Sequence, residues 1–409
     1  MDGFETVPVT ASPKRVLLAW EFGKGNGHAQ RLAMIGRRLA AEGFETRYVF
    51  QNPAAAQVVG IHPSQVTQSP RWPEPDLSRW TPGHQKREAT RTLGQTLGVA
   101  GFGDAATVLR VAGEWEELVE AIRPDLVIAD YAPSAVMAFR GRVPVIMVGS
   151  GYSVPPADAD VFLPFHNWTD KQLFAEDELL ANVNAAQLRL GRKPLDFFVR
   201  TMQGDRNLVC TWRLLDPLAR VRREPQIGPV EPKIPRPDGR KRDLVFAYFH
   251  PDLLSRQEIM ELLCNLPKPA LAVVPGIPPG ARRTIVASGA EVSESLADMA
   301  DLLPRCRAVA HLAGVGVASM ALAAGTPQLG LTTHIDSLWT GHAVQWAGAG
   351  LSPRLDSSED FAKMLRRLIE EPSFAAAALR LATEIAAQYP QSALDTIVAA
   401  CRGSVGIAG

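Results

Sequence analysis

The sequence predicts two α/β domains in tandem, each built on a parallel sheet. Three observations carry this. Short apolar runs alternate with longer segments of helical spacing along most of the chain. The 409 residues exceed what one ordinary core organises. A stretch from Pro225 to Asp238 holds five prolines and a charged tail, the composition of a linker. The expected division is 1–228, a linker at 229–241, and 242–409, with the last helix able to pack back on the first domain.

The first strand is Arg15 to Trp20, followed by the loop Gly23-Lys-Gly-Asn-Gly-His28. Leu32, Ile35, Leu39 and Ala40 then recur at helical spacing until Gly43 stops the helix. Further buried strands are expected at Thr46–Phe50, Asp125–Ala129, Val143–Val148 and Asn207–Thr211. Residues 60–90 read as an irregular excursion, and a helical patch falls near Leu179 to Leu190. The second series runs through Leu244–Phe249, Ala270–Val274, Ala308–Leu312 and Gln328–Leu331. The halves are alike in plan and not in sequence.

Composition narrows the function classes. Forty-three basic residues balance forty-three acidic ones, so no global charge recruits nucleic acid or an anionic membrane. Met1 to Pro13 lacks the pattern of a secretory signal, and no apolar run reaches the roughly 18 residues of a membrane span. Cys210, Cys264, Cys306 and Cys401 are scattered, which argues against a zinc or disulfide framework and for a cytoplasmic setting. The histidines of the second half lack metal-ligand spacing, so no metal is expected.

In open α/β sheets ligands bind at the loops past the carboxyl ends of strands. Three such loops carry chemistry. Gly23 to Gly27 lets the backbone turn tightly, and His28 at the helix start could serve as a general base or cap the helix. A dinucleotide loop would require glycine where His28 stands and an acid after the second strand, which instead ends Phe50-Gln51. Asp130 closes another strand, where it could orient the His28 ring or cap the helix that Pro133 begins. Gly314-Val-Gly316-Val-Ala-Ser319 opens a helix whose backbone N–H groups would attract phosphate, although small residues there also serve packing.

Together these loops resemble the GT-B glycosyltransferases, especially the branch of natural-product, plant and sterol glucosyltransferases. Gly25-Asn-Gly-His28 through Glu42-Gly43-Phe44 is similar to that family's opening block. Leu303-Pro-Arg-Cys306 through His311, Gly314, Gly316, Ala323-Ala-Gly-Thr-Pro327 and Asp336 to Gly348-Ala-Gly-Leu351 is similar to its nucleotide-sugar signature. The resemblance implies a GT-B fold, two Rossmann-like domains facing across a cleft, with the acceptor held by the first and the donor by the second. It implies His28 as the base that deprotonates the acceptor and Asp130 as its support. It places Gly27, His250, His311, Gly314, Val315, Gly316, Val317, Ser319, Asp336 and Ser337 at the donor.

The signature also departs from the family. Its histidine falls on Leu312, with His311 one residue early and so on the other strand face. Val317 and Ala318 stand where hydroxyl residues often follow, Met320 replaces an acid, and Asp336-Ser337 stands where Asp-Gln often grips the sugar. The implied activity is an inverting glycosyltransferase using a dTDP- or UDP-linked sugar as co-substrate, with no resident cofactor. The alternatives are a non-catalytic protein with a degenerate donor site and a sugar-nucleotide epimerase. Trp72, Trp80, Phe102, Phe162, Phe165 and Trp168 suit either an apolar acceptor pocket or core packing. The basic runs Arg220–Arg223 and Arg236–Arg242 read as solvated linker.

Overall fold

The computed structural model describes residues 12–23, 26–74, 90–167, 172–295 and 298–407. Lys24, Gly25, Trp80 and Trp168 lie outside the described residues, as does the chain before Ser12. The first sheet holds β1 (Arg15–Trp20), β2 (Glu45–Phe50), β3 (Val66–Gln68), β4 (Leu126–Asp130), β5 (Val145–Gly149) and β6 (Arg206–Val209). All pair in parallel, in the order β3-β2-β1-β4-β5-β6. The second holds β7 (Leu244–Tyr248), β8 (Ala270–Val273), β9 (Glu291–Ser293), β10 (Cys306–His311), β11 (Gln328–Gly330) and β12 (Gly350–Leu351). Its order, β12-β11-β10-β7-β8-β9, repeats the first when counted from its own first strand. In both halves the chain reverses beside the founding strand, at β1/β4 and β7/β10, and there a crevice opens for a ligand.

β3, β9 and β12 are the strands that the sequence does not announce. Each is a two- or three-residue edge strand, too short to show alternation. The central strands are buried on both faces, and their unbroken apolar runs make them legible.

The halves are joined by packing as well as by chain. Ile335 and Leu338 of the second half lie in the apolar cluster of the first, with Tyr131, Phe162 and Phe165. The Trp212 indole donates to the carbonyl of Ser319 at 2.9 Å. Helix Ala393–Ser404 returns to the first half, where Ile397, Val398 and Cys401 share a cluster with Val16, Leu18 and Leu32. No helix among the described residues is long and apolar enough to cross a membrane.

Two arginines read as solvated linker are structural. The Arg222 side chain is fully buried, with Nε on Asp216 at 2.7 Å, Nη1 on Glu224 at 2.6 Å and Nη2 on the Val154 carbonyl at 2.6 Å. Gln226 donates to the same Asp216 carboxylate at 2.7 Å. Arg242 donates to the carbonyls of Ala324 and Gly325 at 2.6 and 2.9 Å, closing the end of helix Val315–Ala324. A sequence run shows charge, but not which member the fold turns inward. Phe102, Phe162 and Phe165 are likewise core residues, and Trp72 stacks on Phe102 with centroids 4.5 Å apart.

Removing the Arg222 cation would leave the buried Asp216 carboxylate with hydrogen bonds from Gln226 and Leu218 N–H but no counter-charge. Arg222→Met is expected to cost about 3–5 kcal/mol in urea unfolding. Its exposed neighbour is the control, and Arg223→Ala is expected to change stability by no more than about 0.5 kcal/mol.

Candidate active site

The site begins with a buried charge. Asp130 is the last residue of β4, with no exposed side-chain surface. Its helix-capping alternative is not adopted, because the following helix, Pro133–Phe139, has Ala132 at its N-cap and no side-chain cap. Both carboxylate oxygens instead face helix Gly27–Ala41. Oδ1 lies 2.9 Å from Nδ1 of His28, and Oδ2 lies 2.5 Å from Nη1 of Arg31. Burial pushes the Asp130 carboxyl up, but Arg31 and His28 together outweigh it and hold the group below its ordinary value. An ionised carboxylate only accepts, so the Nδ1–H of His28 donates, and Nε2 is the ring nitrogen left outside this bond.

Three neighbours fix that ring. It stacks on Trp20 at 5.6 Å and 16°, and Tyr131 lies 6.1 Å away. Gly23, at φ +94°, lies beneath Nε2, where a side-chain Cβ would fall 2.3 Å from that nitrogen. A glycine is required there by both backbone and space. The His28 side chain remains 19% exposed, so the ring is held but reachable. Phe22 leans on Trp72 and Tyr131 at 5.4 and 5.6 Å and gives the site an aromatic wall.

Glu21 and Arg31 escaped the sequence reading. Glu21, at the end of β1, accepts from the Trp115 indole at 2.7 Å and from Ser134 N–H at 2.8 Å, and Ser134 Oγ also donates to it. Burial raises its carboxyl despite these bonds. The Arg31 signal was its spacing, three residues after His28 on the same helical face.

Across from this group lies the second sheet's carboxyl edge. Helix Val315–Ala324 starts at Gly314 without a side-chain cap. A Cβ at Gly314 or Gly316 would meet nothing within 4 Å, so open space lies over the first turn, and Gly27 in the first half is equally open. Val315 and Val317 are half-buried and lean on apolar clusters of the second half. Asp336, 44% exposed, sits in the first turn of helix Ile335–Trp346 and takes a 2.6 Å bond from Nε2 of His334. Burial works against its ionisation, but His334, the Ser337 N–H and, from the other half, His28 lower its pKa.

Four residues placed at the donor have side chains that are buried or already paired in the structure. His311 is buried, and its Nε2–H donates to Gln328 at 3.0 Å, while burial pushes its pKa down to about 4. Ser319 is buried inside its helix, one turn past the open end. The Ser337 hydroxyl is consumed in the helix cap, accepting from Thr333 and His334 N–H at 3.0 and 3.1 Å. His250 is exposed and pairs with Asp252 at 3.1 Å, capping a short turn.

Residues 263–400 match the family described as "Erythromycin biosynthesis protein CIII-like, C-terminal domain". An aklavinone 7-beta-L-rhodosaminyltransferase of Streptomyces galilaeus is 42% identical over 87 residues, 20% of this chain and 19% of that protein. The elloramycin glycosyltransferase of Streptomyces olivaceus is 40% identical over 87 residues, 21% of this chain and 22% of that protein. The chain thus aligns with about a fifth of the length of these curated relatives. The structure of glycosyltransferase VinC in complex with dTDP superposes with a TM-score of 0.64 at 16% identity, covering 95% of this chain and 99% of that one. The rhamnosyltransferase SpnG with spinosyn aglycone gives 0.60 at 18%, covering 94% and 99%. The chain has the GT-B fold and resembles the antibiotic-pathway glycosyltransferases that share it.

Because the folded pKa of Asp130 is lowered, its contribution to stability is full above the unfolded value, near 3.8. It is lost as pH falls through the folded value. Between pH 5 and pH 3 the wild type is expected to lose more thermal stability than Asp130→Asn, as read from the two melting curves.

Proposed function

We propose that this GT-B-fold chain is a glycosyltransferase that moves a sugar from a nucleoside diphosphate to a hydroxyl of a small apolar acceptor, with inversion. The observation that carries the reading is the His28–Asp130 pair with its ring reachable at the end of the first sheet, together with an uncapped, glycine-lined helix start at the corresponding edge of the second. In this reading residues 1–228 hold the acceptor, 242–409 the donor, and 229–241 joins them. A degenerate protein would have no reason to keep a buried carboxylate aimed at a partly exposed histidine, which favours an enzyme over a binding protein.

Nε2 of His28 takes the acceptor's proton as that oxygen attacks the anomeric carbon from the face opposite the diphosphate. The imidazolium that forms is stabilised by Asp130. The diphosphate leaves toward the backbone amides at Val315–Val317, an anion site fixed before reaction. The aromatic wall of Phe22 and Tyr131 suits an apolar acceptor. Asp336 stands nearest the sugar.

The donor follows from what surrounds that place. Leu312 is apolar, Met320 is turned into the core of the second half, and the Ser337 hydroxyl is spent in its cap, so none of the three offers a hydrogen bond there. Unmatched sugar hydroxyls would cost about 1–3 kcal/mol each when buried. A dTDP-linked deoxysugar has fewer to satisfy, and the relatives' names, a rhodosaminyltransferase and a dTDP complex, support the same choice. The nucleotide sugar is a co-substrate, and the reading calls for no metal.

The test begins with thermal shift, where a ligand at 100 Kd stabilises the native state by about 2.7 kcal/mol. dTDP is expected to raise Tm more than UDP, and a clear preference for UDP-glucose would overturn the donor assignment. Gly316→Val is expected to fold normally, because its Cβ has room, and to lose the dTDP shift. His28→Ala should keep that shift while turnover, followed as nucleoside diphosphate release, falls about 100-fold. Near-normal turnover in that variant would remove the base assignment.

A further inference from the structure

Arg31 occupies the oxygen of Asp130 that His28 leaves. It approaches Oδ2 at 2.5 Å from the same helix, and its side chain is 13% exposed, so the pair interacts where water screens little. The charged and titratable groups around this cluster come from several elements. Tyr131 adjoins the ring from the end of β4, and burial keeps its hydroxyl protonated. Asp336 of the second half is the other carboxylate on this side, its pKa lowered in part by His28. Behind Arg31 stand Cys210, whose thiol burial pushes up to about 11, and Glu231, whose carboxyl burial pushes up to about 7.

A carboxylate beside a histidine does two things. It holds the ring, and it favours the imidazolium. For a base the second effect is costly, because a protonated ring cannot accept the substrate proton at neutral pH. A guanidinium on the other oxygen separates the two effects. It preserves the geometry of Asp130 while offsetting the charge that would draw a proton onto His28. Asp130 and Arg31 together are neutral, so the carboxylate orients the ring while the guanidinium offsets its charge.

We propose that Arg31 is a positioning residue that fixes Asp130 and sets the pH range over which His28 stays unprotonated. The catalytic part of this rests on the reading of His28 as base. The electrostatic part does not.

The experiment is an NMR titration of the His28 ring, assigned by the signal missing in His28→Gln, in wild type, Arg31→Met and Arg31→Lys. Arg31→Met is expected to raise the His28 pKa by about one unit. Arg31→Lys, which keeps the charge, should restore it. The acid limb of kcat/KM should move with the titration, whereas a merely structural arginine would lower activity at all pH without moving the limb. Should Arg31→Met fail to fold, Arg31→Gln removes the charge and keeps a donor to Asp130. An unchanged His28 titration in the folded neutral variant overturns the proposal. A shifted titration alongside full turnover in His28→Ala would instead retain the electrostatic role and refute the catalytic one.

Discussion

A carboxylate removed from water must meet a cation or give up its charge. Asp130, with no exposed side-chain surface at the end of β4, is that constraint here. Both partners come from helix Gly27–Ala41, at positions three apart, so satisfying Asp130 fixes the rotation of the helix over the sheet. That rotation carries the His28 ring onto Trp20 and brings Nε2 over Gly23. The loop before the helix can then hold only glycine at that point, and the aromatic wall of Phe22 and Tyr131 forms beside it.

The two sheets share a strand order but divide the work unequally. The first half supplies charged and titratable side chains on a preformed hydrogen-bonded frame. The second supplies mainly backbone, an open helix start with little around it but aliphatic side chains. A site built of amides recognises anionic oxygen well and sugar hydroxyls poorly. Two of the polar groups that the second half presents, Asp336 and His334, are already paired with each other.

Several readings turned on whether a residue faced the cleft or the core. His311 has the side chain expected for phosphate, but it lies on the strand face that pairs with Gln328 inside the domain. Ser319 and Ser337 have hydroxyls, one buried within a helix and one consumed by a cap. Arg222 stands in a run of like charges, and the fold buries it among four acceptors while Arg223 beside it stays in water. Identity and local spacing are the same for a residue turned inward or outward, and only packing separates the two.

The plan was legible along the chain: two parallel sheets, a proline-rich join, glycine loops at strand ends, and His28 and Asp130 at the founding crevice. It was legible because buried parallel strands are continuous apolar runs, and tight turns demand glycine wherever they occur. The edge strands, the place of Arg31 and Glu21, and the inward turn of His311, Ser319 and Arg222 were decided only in three dimensions. Each depends on partners far along the chain: Asp130 lies 99 residues from Arg31, and Trp115 and Ser134 lie 94 and 113 residues from Glu21. A buried polar group is defined by what satisfies it, and that partner is chosen by the tertiary fold.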